Sequence, residues 1–339
     1  MKASIFEGGE KPLVIKDIAT PVPKKGEVLV KVAACGVCHT DLHYLDHGVK
    51  TAKSPPLVLG HEASGTIVGL NGEIGLREKD RVVIPAVLTC GFCRLCRLGR
   101  ENICENMKML GNHIDGAFAE FVAVSAKDCI KLPDEIPLDE ACLIGDALST
   151  PYHAVRNRAK VQPADKVVVI GCGGVGLGII QFAKVVGARI IAIDISEEKL
   201  AMARELGAED TINSSKVERL DKAIRDKFNG GSDIAFEAIG KPQTIEAAAK
   251  SIRIGGTLVI VGYCSEAVSM PANRIMFAEL NVIGSLGARP VDYTNIVELV
   301  RKGSIRIKPI ITGRFGLDDI NKAFDKLREG KGIRSIVIP

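Results

Sequence analysis

The strongest constraint on this chain's fold is a short run near its middle. Lys166-Val167-Val168-Val169-Ile170 is followed at once by Gly171-Cys172-Gly173-Gly174-Val175-Gly176. This fits G-x-G-x-x-G between a strand and a helix. The first glycine allows the tight turn, the second lets the backbone approach a pyrophosphate, and the third lets helix and strand pack closely. N–H groups at the helix start then supply donors for an anion. A lone match carries little weight, since such glycines can simply make a tight turn. Here, however, the next predicted strand, 189–193, runs into Asp194. An acid about 20 residues on is what accepts hydrogen bonds from a ribose 2′-hydroxyl. Asp194 would repel a 2′-phosphate and no arginine follows it directly (Ile195, Ser196), so NAD(H) is expected rather than NADP(H). The candidate cofactor residues are Gly171, Gly173, Gly174, Val175, Gly176 and Asp194. Lys199 is either a ribose contact or a solvated lysine in a first helical turn.

The surrounding rhythm agrees with that motif. From residue 149 the pattern predicts a helix over 175–186, a strand over 189–193 and a helix over 197–206. Apolar strands follow over 233–236 and 257–261 with a helix over 243–252 between them, the alternation of an α/β doubly wound parallel sheet. Before residue 149, segments such as Glu27-Val28-Leu29-Val30-Lys31-Val32 and Gly65-Thr66-Ile67-Val68-Gly69 alternate β-branched residues with Gly and Pro breaks. They read as a β-rich domain. After about residue 286, helix-like 292–302, apolar 305–311, helix-like 317–328 and a last strand near 335–338 could complete either domain. A chain of 339 residues accommodates both.

Charge and hydropathy exclude several classes. Lys+Arg 45 against Asp+Glu 41 leaves a formal charge of +4, too mild for a nucleic-acid surface. The chain has no run of about 18 uncharged apolar residues and its start, MKASIFEGGEKP, does not read as an export leader. A soluble cytoplasmic protein without membrane partners is expected. Trp is absent and aromatic residues make up 4%, which predicts an aliphatic pocket.

Four of the ten cysteines fall within fifteen residues: Cys90, Cys93, Cys96 and Cys104. In a reducing compartment such spacing reads as metal ligation rather than disulfides. Four thiolates close a tetrahedral zinc site and leave no position for water, so this zinc would fix a loop. An iron–sulfur cluster also takes four cysteines, but hydride chemistry does not need one. A second set is dispersed: Cys38-His39-Thr40-Asp41-Leu42-His43, then Gly60-His61-Glu62.

Gly36-Val37-Cys38-His39-Thr40-Asp41, Gly60-His61-Glu62, the four-cysteine lobe, Asp115-Gly116-Ala117-Phe118-Ala119-Glu120 and the glycine loop occur in this order. The order resembles that of zinc-dependent medium-chain alcohol dehydrogenases over nearly the whole chain. The resemblance implies a GroES-like catalytic domain over 1–148 with a structural zinc lobe at about 90–104. It also implies a Rossmann NAD-binding domain over 149–287 and a C-terminal return to the catalytic domain over 288–339. It makes Cys38 and His61 catalytic zinc ligands, Glu62 a nearby or alternate ligand, and Asp41 the residue that orients His61. Thr40 and His43 become a proton relay linked through the nicotinamide ribose, and His39 lies near the cofactor pyrophosphate.

The third ligand departs from the commonest family pattern, which has a cysteine there. Aligning on Leu143-Ile144-Gly145 puts Asp146 at that position, giving a neutral Cys, His, Asp zinc site; some secondary-alcohol dehydrogenases of the family resemble it. Cys142, four residues earlier, competes for the role, and Asp146 could instead be an outer acceptor. The resemblance thus implies two zinc ions and hydride transfer between NAD and an alcohol held as its zinc alkoxide. Ala86 stands where larger side chains are common in the family, so secondary, cyclic or bulky alcohols are expected. A polyol or sugar dehydrogenase of the same family is the alternative, and a non-catalytic structural protein on the same fold is the alternative of another class. The strand-like 281–285 resembles the edge through which such chains form dimers or tetramers, though a buried central strand would read alike.

Overall fold

The structure is a computed structural model and describes residues 1–72 and 75–339. The chain forms two compact units, Met1–Ser149 with Gly287–Pro339, and Thr150–Leu286. The C-terminal stretch, which pattern alone left between two domains, packs into the first unit.

The first unit is built on a sheet with strands in the order Ile130–Lys131, Arg81–Ile84, Glu62–Leu70, Glu27–Val37, Arg334–Ile338 and Ile311–Gly316. Phe121–Ser125 also pairs with Glu27–Val37. Alternation explains the long Glu27–Val37 strand: Val28, Val30, Val32 and Ala34 are buried, one face of a period-2 pattern. Its C-terminal end is buried on both faces where it runs between Glu62–Leu70 and Arg334–Ile338. Phe118 and Phe324 meet edge to face in this core, centroids 5.8 Å apart. The Ile320–Arg328 helix buries Ile320, Ala323 and Phe324 there.

The second unit is a parallel sheet in the order Asp210–Asn213, Arg189–Asp194, Lys166–Ile170, Ser232–Glu237, Ile252–Ile260, Asn281–Gly284. Strand order reverses at Lys166–Ile170, and a ligand crevice is expected beyond the carboxyl end of such a strand. Val167, Val168, Val169 and Ile170 are all buried, as a parallel strand covered on both faces requires.

The periodic reading passed over Asp210–Asn213 and Leu220–Lys227. The strand buries Ile212 and the helix buries Ile224, too few apolar positions to set up a period. Segment 305–311 is a short turn at Lys308–Ile310 leading into a strand from Ile311. Among the described residues, Asn281–Gly284 pairs on one side, with Ile252–Ile260, and stands at the sheet's edge. No helix among the described residues is long and apolar enough to cross a membrane.

Candidate metal centres and cofactor loop

The first centre forms where the Glu27–Val37 strand turns into the His39–Asp46 helix. Cys38 occupies the N-cap in an extended conformation, and its N–H donates to Asp41 Oδ2 at 3.2 Å. That bond fixes the turn carrying the thiol. Across the antiparallel pairing, Gly36 faces Glu62. A Cβ on Gly36 would lie 2.1 Å from Glu62 Oε2, so the carboxylate occupies space that only glycine leaves open. His61 is held by the 115–118 segment, which clamps the chain just before it: the N–H groups of Gly116, Phe118 and Ala117 donate to the carbonyls of Val58, Leu59 and Gly60 at 2.8–3.0 Å. Asp146 follows Gly145, whose carbonyl accepts from Ala86 N–H at 3.2 Å and from Tyr293 Oη at 3.0 Å.

These elements bring Cys38, His61, Glu62 and Asp146 together, each offering a ligand atom within 4.8 Å of the others. His61 Nδ1 stands 3.3 Å from Asp41 Oδ1, while Nε2 stands 3.7 Å from Asp146 Oδ2. His61 Nε2 and both Glu62 carboxylate oxygens are buried without a hydrogen-bond partner. Buried polar atoms normally have partners; with the Arg334 guanidinium 3.4 Å from Glu62 Oε1, His61 Nε2 and Glu62 Oε2 still lack one, so this donor set has room for a further cation. Electrostatics agree. Burial opposes a proton on His61, yet Asp41 and Asp146 outweigh it and push the imidazole well above its ordinary range. A thiol, an imidazole and carboxylates are the donors zinc takes. Cys142 is elsewhere engaged, donating its thiol to the Asp139 carbonyl at 3.2 Å.

Arg334, which the sequence reading passed over, reaches this centre from the last strand. Its Nη2 lies 3.4 Å from Glu62 Oε1 and its Nη1 donates to Val37 O at 3.0 Å. Burial pushes the Glu62 carboxyl up to about 7, with Arg334 pulling the other way. Its sequence signal was an arginine opening a terminal strand that is otherwise Ser-Ile-Val-Ile.

The second centre is the cysteine lobe. Sulfur–sulfur distances are 3.5 Å for Cys93–Cys96, 3.4 Å for Cys104–Cys90, 3.8 Å for Cys93–Cys104 and 3.9 Å for Cys90–Cys96. A tetrahedron with Zn–S of about 2.3 Å has edges of about 3.8 Å, and all four are free cysteines. Backbone N–H groups of Cys90, Cys93, Cys96 and Asn106 point at these sulfurs. Such donors favour thiolate, and those of Phe92 and Cys93 draw Cys90 down to about 6.

The remaining candidates sit near these centres or in the second unit. His39 is exposed at the start of its helix, and Thr40 Oγ1 lies 3.8 Å from Cys38 Sγ. His43 Nδ1 lies 2.9 Å from Nδ1 of His47, a residue the sequence reading did not single out. In the glycine loop, Gly171 has φ +97, and a Cβ on Gly176 would fall 1.7 Å from the Gly171 carbonyl oxygen. The helix can therefore start hard against the strand. Asp194 accepts from Cys172 N–H at 2.8 Å and Ser196 N–H at 3.0 Å, which ties the acid to the loop. Lys199 N–H donates to the Ser196 cap at 3.4 Å.

Residues 24–134 match the alcohol dehydrogenase GroES-like domain, and residues 174–302 match the zinc-binding dehydrogenase domain. An alcohol dehydrogenase of Geobacillus stearothermophilus is 34% identical over 333 residues, covering 98% of this chain and 97% of the relative. The chain belongs to the zinc-dependent alcohol dehydrogenase family. This dehydrogenase also shares its fold with the alcohol dehydrogenase of the archaeon Aeropyrum pernix, at TM-score 0.92 and 32% identity with both chains covered fully. A zinc-binding dehydrogenase of Sinorhizobium meliloti 1021, solved with NADP, gives TM-score 0.91 at 29% identity, covering 100% of this chain and 99% of that one. The protein is a zinc-dependent, nicotinamide-linked oxidoreductase with a GroES-like and a Rossmann-like part.

Proposed function

We propose that this alcohol dehydrogenase interconverts a secondary, cyclic or otherwise bulky alcohol and its ketone, using NAD(H). The observation that carries the reading is the convergence of Cys38, His61 and Asp146 around an unsatisfied His61 Nε2. Cys38 thiolate, neutral His61 and Asp146 carboxylate would hold a zinc dication at zero formal charge, with Glu62 as the alternate ligand held back by Arg334. When bound there, zinc supplies a Lewis acid for the alcohol or carbonyl oxygen. Asp41 orients His61 through Nδ1. Thr40 and His43 move the hydroxyl proton outward. Burial, then the nearby charge of His47, lowers the affinity of His43 for protons, so its imidazole is neutral near pH 7 and ready to accept one. Gly171, Gly173, Gly174, Val175, Gly176 and Asp194 hold NAD, aided by Lys199 at the ribose and His39 at the pyrophosphate. Cys90, Cys93, Cys96 and Cys104 hold the second, structural zinc.

The substrate reading rests on Ala86, a buried small residue hydrogen-bonded to the Gly145 carbonyl one residue before Asp146. A panel of primary, secondary, cyclic and polyol substrates tests it with NAD. Cyclohexanol is expected to exceed ethanol in kcat/KM by at least about tenfold, the range that one or two methylenes contribute in an apolar pocket. Preference for ethanol would remove the bulky-substrate reading, turnover of polyols alone would make the protein a polyol dehydrogenase, and no NAD-linked turnover would favour a structural role.

Asp194 carries the cofactor preference. Asp194→Asn keeps an acceptor for the loop but loses the charge that repels a 2′-phosphate. The NAD over NADP ratio of kcat/KM is expected to fall by about 10- to 100-fold, the scale of one charged hydrogen bond. An unchanged ratio would remove Asp194 from cofactor choice. We further propose a cytoplasmic homo-oligomer, dimer or tetramer, joined through the exposed Asn281–Gly284 edge, where Val282 is 38% exposed.

A further inference from the structure

The His39–Asp46 helix presents a second imidazole that the relay reading does not use. His43 and His47 are one helical turn apart, and i,i+4 side chains share a face. Their rings lie 5.1 Å apart at 46°, with the two Nδ1 atoms at 2.9 Å. At that distance one nitrogen donates and the other accepts. His43 is half-buried whereas His47 is exposed at the helix C-cap. The pair therefore spans from interior to water.

The end of the helix holds this geometry. Val49 N–H donates to the His43 carbonyl at 3.1 Å. Asp46 is clamped by Arg328 through two bonds of 2.7 and 2.8 Å from the Ile320–Arg328 helix, and Arg328 also bonds Asp325 at 2.7 Å. Of the charged groups on this helix and the one packed against it, Asp46 lies close enough to interact with His47, and Arg328, also bonded to Asp325, holds Asp46. Asp46 stays ionised, since the Arg328 bond holds its carboxyl below the usual range.

We propose that His47 is a positioning residue of the dehydrogenase, the outer half of a two-imidazole proton relay that carries the alcohol's proton from His43 to solvent. This rests on the reading of His43 as the inner relay group. A proton arriving at His43 Nε2 makes an imidazolium, and its Nδ1–H bond then breaks as the proton moves to His47 Nδ1. His47 releases its Nε2 proton to water. No electrons are transferred in either step; both rings end neutral with their tautomers exchanged, and proton exchange with solvent resets them before the next turnover. Because a charge on His47 opposes one on His43, the pair carries one extra proton at a time.

The test compares wild type with His47→Gln, His47→Ala and His43→Ala as zinc-loaded enzymes. Readouts are the pH profile of kcat/KM, rescue by imidazole buffer, and ring titrations in ¹⁵N-histidine-labelled protein, whose six histidines keep the spectrum sparse. Removing His47 removes a charge that lowers the His43 affinity for protons. His43 should then titrate at higher pH in both His47 variants, and the acid limb of the rate profile should move up with it. Activity near pH 7 should fall by up to about tenfold, less than the 10²- to 10⁴-fold of a direct acid–base group, and imidazole should restore it. A wild-type rate profile and an unmoved His43 titration in the His47 variants, beside an impaired His43→Ala, would overturn the outer relay alone. A wild-type profile in His43→Ala would overturn the relay reading itself.

Discussion

Asp146→Ala is expected to reduce zinc from two ions per chain to one and to cut alcohol oxidation by on the order of 10³-fold, equal to the several kcal/mol a Lewis acid contributes to such a transition state. The reasoning is geometric. Asp146 and His61 face each other at 3.7 Å beside Cys38, and removing the carboxylate leaves one thiolate and one imidazole, with Glu62 tied to Arg334 at 3.4 Å. Asp146→Cys restores the formal charge and should recover most of the metal. Cys142→Ala should keep both zincs, because that thiol is spent on the Asp139 carbonyl. Elemental analysis with an NAD-linked assay separates the cases. Two zincs and full activity in Asp146→Ala would remove Asp146 from the ligand set, and loss of zinc from Cys142→Ala would hand the role to Cys142.

The cysteine lobe should respond differently to mutation. Cys104→Ser breaks a set whose sulfurs stand at tetrahedral spacing, and structural zinc binding is itself folding free energy. Zinc should again drop to one per chain, but turnover at 25 °C should stay near wild type, since the proposed catalytic cluster of Cys38, His61 and Asp146 is untouched. A loss of about 3 kcal/mol or more would lower Tm by roughly 6 to 12 °C for a unit of this size. Two zincs and an unchanged Tm would show that these four thiols hold no structural metal, and iron in the wild-type analysis would make them a cluster site.

Much of this architecture could be read from the sequence because its chemistry is local. The glycine loop, the strand before it and Asp194 fall within one supersecondary unit, and the four cysteines within fifteen residues. Cys38 and His61 were found through motifs that carry their own turns. Strands Lys166–Ile170 and Arg189–Asp194 were legible because burial on both faces makes them continuously apolar, whereas Asp210–Asn213 lies at an edge and carries no such run. Arg334 was missed for a different reason: its meaning depends on Glu62, brought beside it only by the pairing of the last strand with Glu27–Val37. His47 was hidden more simply. Its spacing from His43 was visible, but it becomes a partner only once the two rings turn toward each other.

The last strand also has a consequence for biosynthesis. Arg334–Ile338 lies between Glu27–Val37 and Ile311–Gly316 rather than at a sheet margin. The Thr150–Leu286 unit is continuous in sequence and can fold on the ribosome as soon as it emerges. The unit that carries the Cys38, His61 and Asp146 cluster cannot, because an inner strand of its sheet and the counter-ion of Glu62 follow the Thr150–Leu286 unit in sequence. A nascent chain must therefore hold an open sheet while the Thr150–Leu286 unit is already finished, so a stop codon before Arg334 would leave a cofactor-binding module without a working partner.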